Sequence, residues 1–161
     1  MNKLEADELQ KRVRDLEDEV STLQAVLDGL PLVVHVKAAH TLRCVRSNLA
    51  LEALLGLPRH KVVGGVHEDF FPPGQAAIFA AQDREVISTG KALDLAEEPI
   101  RLVNGETRIY QIHKIPIAGP DGAVRFLLVA AEDVTRRHEA EVALRESQER
   151  MRILLEMVPV P

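Results

Sequence analysis

The residues of this 161-residue chain whose types could do chemistry stand at spacings that fit none of the familiar reaction motifs. Cys44 is the sole cysteine, so neither an intrachain disulfide nor a cysteine-rich zinc site can form. A lone cysteine reads as a small buried hydrophobe, and its use fits a reducing cytoplasm. His35 and His40 do not stand at metal-ligand spacing, and a strand histidine is more often hydrogen-bonded structure. There is no glycine-rich phosphate loop, no serine elbow motif and no pair of carboxylates in an apolar setting. Catalysis therefore has no candidate constellation, and the expectation is a chain that is not an enzyme.

Composition supports a binding or relay role. Apolar residues make up 46% of the chain, enough for one real core, while the charges gather towards its two ends. A formal charge of −5 gives no broad attraction to nucleic acid or anionic lipid, and neither partner is expected. No apolar run approaches the ~18 residues that span a bilayer. The charged N-terminus is unlike a secretory signal, so a soluble, cytoplasmic segment is expected.

The first thirty residues carry a seam. Leu9, Val13, Leu16, Val20, Leu23, Leu27 and Leu30 recur alternately four and three apart, the 3.5-residue period of a supercoil. The valines fall at a with Leu27, and the other leucines fall at d. Valine at a with leucine at d favours two parallel strands. Arg12 at g can face Glu17 at e of a second copy. Gly29 and Pro31 end the helix. The pattern implies a parallel homodimer through residues 1–30, the alternative being a helix packed on its own domain.

Residues 31–134 read as mixed. Strands are expected at 32–37 and 41–46, then a short helix at 49–55 capped by Asn48 and ended by Gly56. Short turns come next, with Pro72, Pro73 and Gly74 as punctuation. A helix at 75–89 places Ile78, Phe79 and Val86 on one stripe and Gly90 after it. Strands at 93–102, 107–117 and 123–131 are joined through Asn104-Gly105 and through Gly119 to Gly122. That order implies an α+β fold, one antiparallel sheet with helices on one face. From Thr135 a charged helix carries a weaker seam of Ala140, Leu144, Ser147, Met151, Leu154 and Val158. Residues 151–161 resemble 23–33, aligning Leu155 with Leu27, Glu156 with Asp28 and Pro159 with Pro31. This is read as the start of a second copy of the same domain, or as the chance likeness of two amphipathic helix ends.

From Val20 to Arg137 the chain resembles a PAS domain. Leu27-Asp28-Gly29-Leu30-Pro31 is similar to the family's leading helix, and Arg43-Cys44-Val45-Arg46-Ser47-Asn48 to its second strand. Leu54-Leu55-Gly56, then Val63-Gly64-Gly65 and Asp69-Phe70-Phe71-Pro72, resemble its short helices. Tyr110 to Ile117, Gly122 and Glu132-Asp133-Val134-Thr135 resemble its last hairpin and closing motif.

The resemblance implies a five-stranded antiparallel sheet with a cavity beneath the helices, flanked by a coiled-coil helix and a linker helix. Together with strand alternation it turns Tyr110, Ile112, Leu127, Val129 and Ala131 towards the helices, with Phe71, Ile78 and Phe79 as the opposite wall. These are the candidate pocket residues, for a small organic ligand or for a plainly packed core. Ile109, His113 and Ile115 would face outward. Flavin photosensors of the LOV class carry a cysteine where Glu68 stands, and tryptophan is absent. The long helix lacks the histidine that haem-binding members use. Neither haem nor flavin is therefore expected. Signals in this family leave through the sheet and the helix after it, so Asp133 and Thr135 are the candidate hinge, with Thr135 as helix cap. His138-Glu139 lacks the setting of a histidine-kinase phosphoacceptor and reads as a solvated face. The implied parent is a sensor histidine kinase with tandem PAS domains. The alternatives are a ligand-free dimerisation module, or the input domain of a cyclic-dinucleotide enzyme or transcription regulator.

Overall fold

The computed structural model describes residues 3–102 and 104–157. Helix α1 (Lys3–Asp28) leads into strands β1 (Val33–Ala38) and β2 (Cys44–Ser47). Short helices α2 (Leu49–Leu55) and α3 (Arg59–Val62) and a 3-10 turn (His67–Asp69) precede helix α4 (Pro73–Thr89). Strands β3 (Leu93–Arg101), β4 (Thr107–Ala118) and β5 (Val124–Asp133) and helix α5 (Thr135–Met157) complete the order. The five strands form one wholly antiparallel sheet in the order β2-β1-β5-β4-β3. This is the expected α+β arrangement.

Local chemistry explains the places where element edges differ from expectation. The second strand begins at Cys44 because Leu42 takes a left-handed φ of 58° in a turn closed on the Ala38 carbonyl. The long helix starts at Pro73, whose fixed φ and missing N–H suit the first helical position. Strand β5 runs on to Asp133 because Tyr110 and Gln111 of β4 still pair with Asp133 and Glu132. Pro99 is tolerated because β3 is an edge strand. The hairpin at Asn104-Gly105 turns through Gly105 at φ 84°.

Alternation in β1, β4 and β5 sends Val33, His35 and Lys37, then Tyr110, Ile112 and Lys114, then Leu127, Val129 and Ala131, beneath α2 and α4. The buried stripe of α4 is Ala76, Phe79, Ala80, Asp83 and Val86, spaced three and four apart. Ile78 departs from expectation. It lies one residue off that stripe, about 100° round the helix, and is 52% exposed.

Candidate functional site

Asn48 fixes where α1 meets the core. Its Oδ1 accepts from the N–H of Val34 at 3.0 Å and from that of Leu51 at 3.2 Å, the latter capping α2. Its Nδ2 donates to the carbonyls of Leu27 at 3.1 Å and Leu32 at 2.8 Å. One buried amide thus ties the end of α1, β1 and α2 together. Beside it Asp28 Oδ1 accepts from Arg59 at 2.6 Å and from the Leu49 N–H at 3.1 Å, and Arg59 also reaches Glu52 at 2.7 Å. Beyond this junction the α1 seam is bare. Leu9, Val13, Leu16, Val20, Leu23 and Leu30 are exposed, and Leu27 is half-buried.

At the other end of the core, Val134 bonds the Ile109 carbonyl, and the Val134 carbonyl accepts the N–H of His138 to open α5. Thr135 does not cap this helix in the expected manner. Its Oγ1 accepts from the Ile109 N–H at 2.9 Å and donates to Asp133 Oδ1 at 2.6 Å, because its side chain turns back to β4. Asp133 takes the capping part instead, accepting from the Thr135 N–H at 3.0 Å. His138 is not simply solvated, since it pairs with Glu97 of β3 at 3.1 Å. Thr135→Ala leaves the part-buried Ile109 N–H without its partner and should cost about 1–2 kcal/mol. Faster amide exchange at Ile109 and across residues 136–141 checks this, and Thr135→Ser should restore protection.

Between sheet and helices lies a cavity of about 40 Å³. Of the expected pocket residues, Phe71, Phe79, Tyr110, Ile112, Val129 and Ala131 line it. Leu127 is fully buried in the core but does not border it, and Ile78 points away. Phe71 meets Phe79 edge to face with ring centroids 5.2 Å apart.

Sequence reasoning missed the polar side of this cavity. Lys37 from β1, Lys114 from β4, His67 from the 3-10 turn and Asp83 from α4 meet in the core, each buried. Lys37 Nζ lies 2.5 Å from Asp83 Oδ2, and Lys114 Nζ lies 2.6 Å from Asp83 Oδ1. His67 Nε2 lies 2.9 Å from Asp83 Oδ2 and 2.5 Å from Lys37 Nζ. Lys114 also donates to the Phe79 carbonyl at 3.3 Å.

Burial opposes ionisation of Asp83, yet the His67 hydrogen bond and the two lysine charges hold its carboxyl well below the usual range. Desolvation pushes Lys37 down to about 8 despite Asp83, and lowers Lys114 and His67 as well. Near neutral pH the contacts join two ammoniums, one carboxylate and a neutral imidazole. The Cys44 thiol takes no part in them, for it is directed to the Arg46 carbonyl at 3.2 Å and burial raises its pKa. The arrangement can bind and orient a small polar group.

The PAS-fold family description matches residues 27–139, and the chain belongs to this family of sensory domains. The chain is 30% identical over 138 residues to an uncharacterised Sinorhizobium fredii protein, y4lL. That match takes in 84% of the chain but only 16% of that relative. The PAS domain of Bordetella pertussis BvgS is similar at a TM-score of 0.62 and 19% identity, over 82% of this chain and 98% of that one. The Vibrio cholerae VqmA dimer without its target DNA matches at 0.62 and 24%, over 78% and 55%. A Rhodobacter sphaeroides LOV protein matches at 0.61 and 16%, over 80% and 73%. At these identities the structural likenesses establish the fold. No described helix is long and apolar enough to cross a membrane.

Proposed function

We propose that this segment is a cytoplasmic PAS sensory and relay module that works as a parallel homodimer. It sits in a longer sensor histidine kinase and passes a change in its core to an output domain through α5. One observation carries the reading. The α1 seam is exposed from Leu9 to Leu23, while the end of that helix is bound into the core by Asn48 and Asp28. A helix held at one end and apolar on an open face is suited to pair with its own copy, because burying that face removes apolar surface from water. Asp133 and Thr135 form the matching joint at α5, where β4, β5 and the outgoing helix share hydrogen bonds. The core responds to a small organic ligand, with neither haem nor flavin. The formal charge of −5 supports a reading in which this segment does not itself contact nucleic acid. The rival parents, a cyclic-dinucleotide enzyme or a transcription regulator, differ in the output domain that α5 would drive.

Leu16→Glu together with Leu23→Glu tests the dimer. The two positions are 56% and 59% exposed, so the folded protomer tolerates the change. A dimer through the seam loses four buried leucines at about 1.5–3 kcal/mol each, weakening association ~10⁴-fold or more. Sedimentation should show a wild-type dimer and a monomeric variant. An unchanged dimer would place the interface elsewhere, on the outer sheet face at Ile115, Ile117 and Phe126. A monomeric wild type would end the proposal.

A further inference from the structure

The buried polar cluster holds more positive than negative charge, and its unused donors belong to lysines that border a cavity. Asp83 is the only carboxylate in contact with Lys37 and Lys114 among the described residues. Glu98 of β3 favours the charge of Lys114 through space but makes no ion pair with it. With His67 Nε2 donating to Asp83, Lys37 directs one of its three ammonium hydrogens at Asp83, and Lys114 directs two of its three at Asp83 and the Phe79 carbonyl. At least one hydrogen on each remains. His35, on the same face of β1, borders the cavity too, and its buried Nδ1 meets no hydrogen-bond partner. Apart from His67 and Tyr110 the rest of the wall is apolar, with Ile112, Val129 and Ala131 from the sheet and Phe79 from α4.

Buried charge is stable when paired, and buried donors when bonded. A second carboxylate supplies both the missing negative charge and the missing acceptors. Size sets the rest. About 40 Å³ is the room of one or two waters, far below the ~300 Å³ and more of a drug-sized site. A neighbouring cavity of about 20 Å³ shares His35, Lys37, His67 and Phe71 as its wall. Phe71, half-buried, borders both spaces. We propose that Lys37, Lys114 and His35 form the polar end of a site for a small monocarboxylate, whose short alkyl chain lies against Ile112, Val129 and Ala131. This deepens the sensory reading and rests on it.

Calorimetric titration of the full chain with sodium propionate tests the site, at an ionic strength held constant with chloride. Propionamide, which has nearly the same shape without the charge, is the control. Saturable propionate binding is expected, at least tenfold tighter than propionamide. Lys114→Met leaves Lys37 and Asp83 as a neutral pair and should abolish binding in a protein that keeps its circular dichroism. Ala131→Val, which fills the cavity from the sheet side, should weaken binding at least tenfold, and it decides the matter if the lysine variant fails to fold. No saturable heat, equal affinity for propionamide, or undiminished binding in a folded variant would overturn the site. Because binding is read directly, failure here leaves the dimer seam to be judged separately by sedimentation.

Discussion

Asp83→Ala should cost about 3–5 kcal/mol of stability, a large share of what a domain of this size possesses. The carboxylate is fully buried and is the shared partner of Lys37, Lys114 and His67. Its removal leaves two ammoniums facing one another in a medium that solvates neither. The cost is that of stranded charge, so taking the charge away should remove it. Asp83→Leu combined with Lys37→Met and Lys114→Met exchanges the cluster for apolar volume, and such exchanges are often neutral or stabilising by about 1–4 kcal/mol. Urea unfolding of the single and triple variants checks both statements. A single variant within about 1 kcal/mol of wild type would mean that water, and not Asp83, satisfies the lysines. A triple variant as unstable as the single one would mean that packing, and not charge, explains the loss.

Asn48→Ala should cost about 3 kcal/mol, for two separable reasons. Loss of the N-cap of α2 accounts for about 1 kcal/mol. The rest comes from the Val34 N–H and the carbonyls of Leu27 and Leu32, left without this partner at a junction that water barely enters. The variant also loosens the attachment of α1, since Leu27 lies in its last turn. Amide exchange should quicken at residues 27–34 and 49–52 while the seam of α1 stays helical in the dimer. Asn48→Asp is the informative partner, because it keeps the accepting oxygen and removes the donors to Leu27 and Leu32. It should retain protection in α2 and lose it at the end of α1. Equal loss at both places would mean that the junction melts as one unit.

How much of the fold was legible in the sequence depends on the range of the forces involved. Period and punctuation are local, so the α1 seam, the cap at Asn48, the αL glycines after α2 and α4, and the hairpin at Gly105 could be read directly. Strand alternation also placed Tyr110, Ile112, Val129 and Ala131 on the inner face. The same alternation, carried one step further, puts Lys114 after Ile112 and Lys37 after Val33 and His35. Asp83 lies four residues from Phe79 on the buried stripe of α4. A lysine at a core position calls for a buried acid, and a helix stripe containing one aspartate offers it. The signal is in the sequence, but each charge taken alone reads as a solvated residue, and only the pairing of distant elements shows otherwise. Thr135 misled for a different reason. A threonine before a helix is a good cap by type, but its rotamer is decided by the unpaired Ile109 N–H of a strand 26 residues earlier. The exposure of Ile78 depends on the helix start and phase, which Pro73 sets.

The strand made last holds the middle of the sheet. Because β5 lies between β1 and β4, the pairing of Val33 with Ala131 joins residues about a hundred positions apart, an expensive loop to close. During synthesis β1 and β2 can form a hairpin, and β3 and β4 another, but each leaves an edge of unpaired amides. At translation rates of about 5–20 residues per second, those edges stay open until Asp133 has left the ribosome tunnel. Lys37 and Lys114 sit on separate hairpins until then, and only closure of β5 brings both to Asp83. This domain is therefore most exposed to chaperones and to mispairing in the seconds before β5 arrives. A ribosome stalled just short of β5 should hold a protease-sensitive chain, and one stalled well beyond it a resistant one.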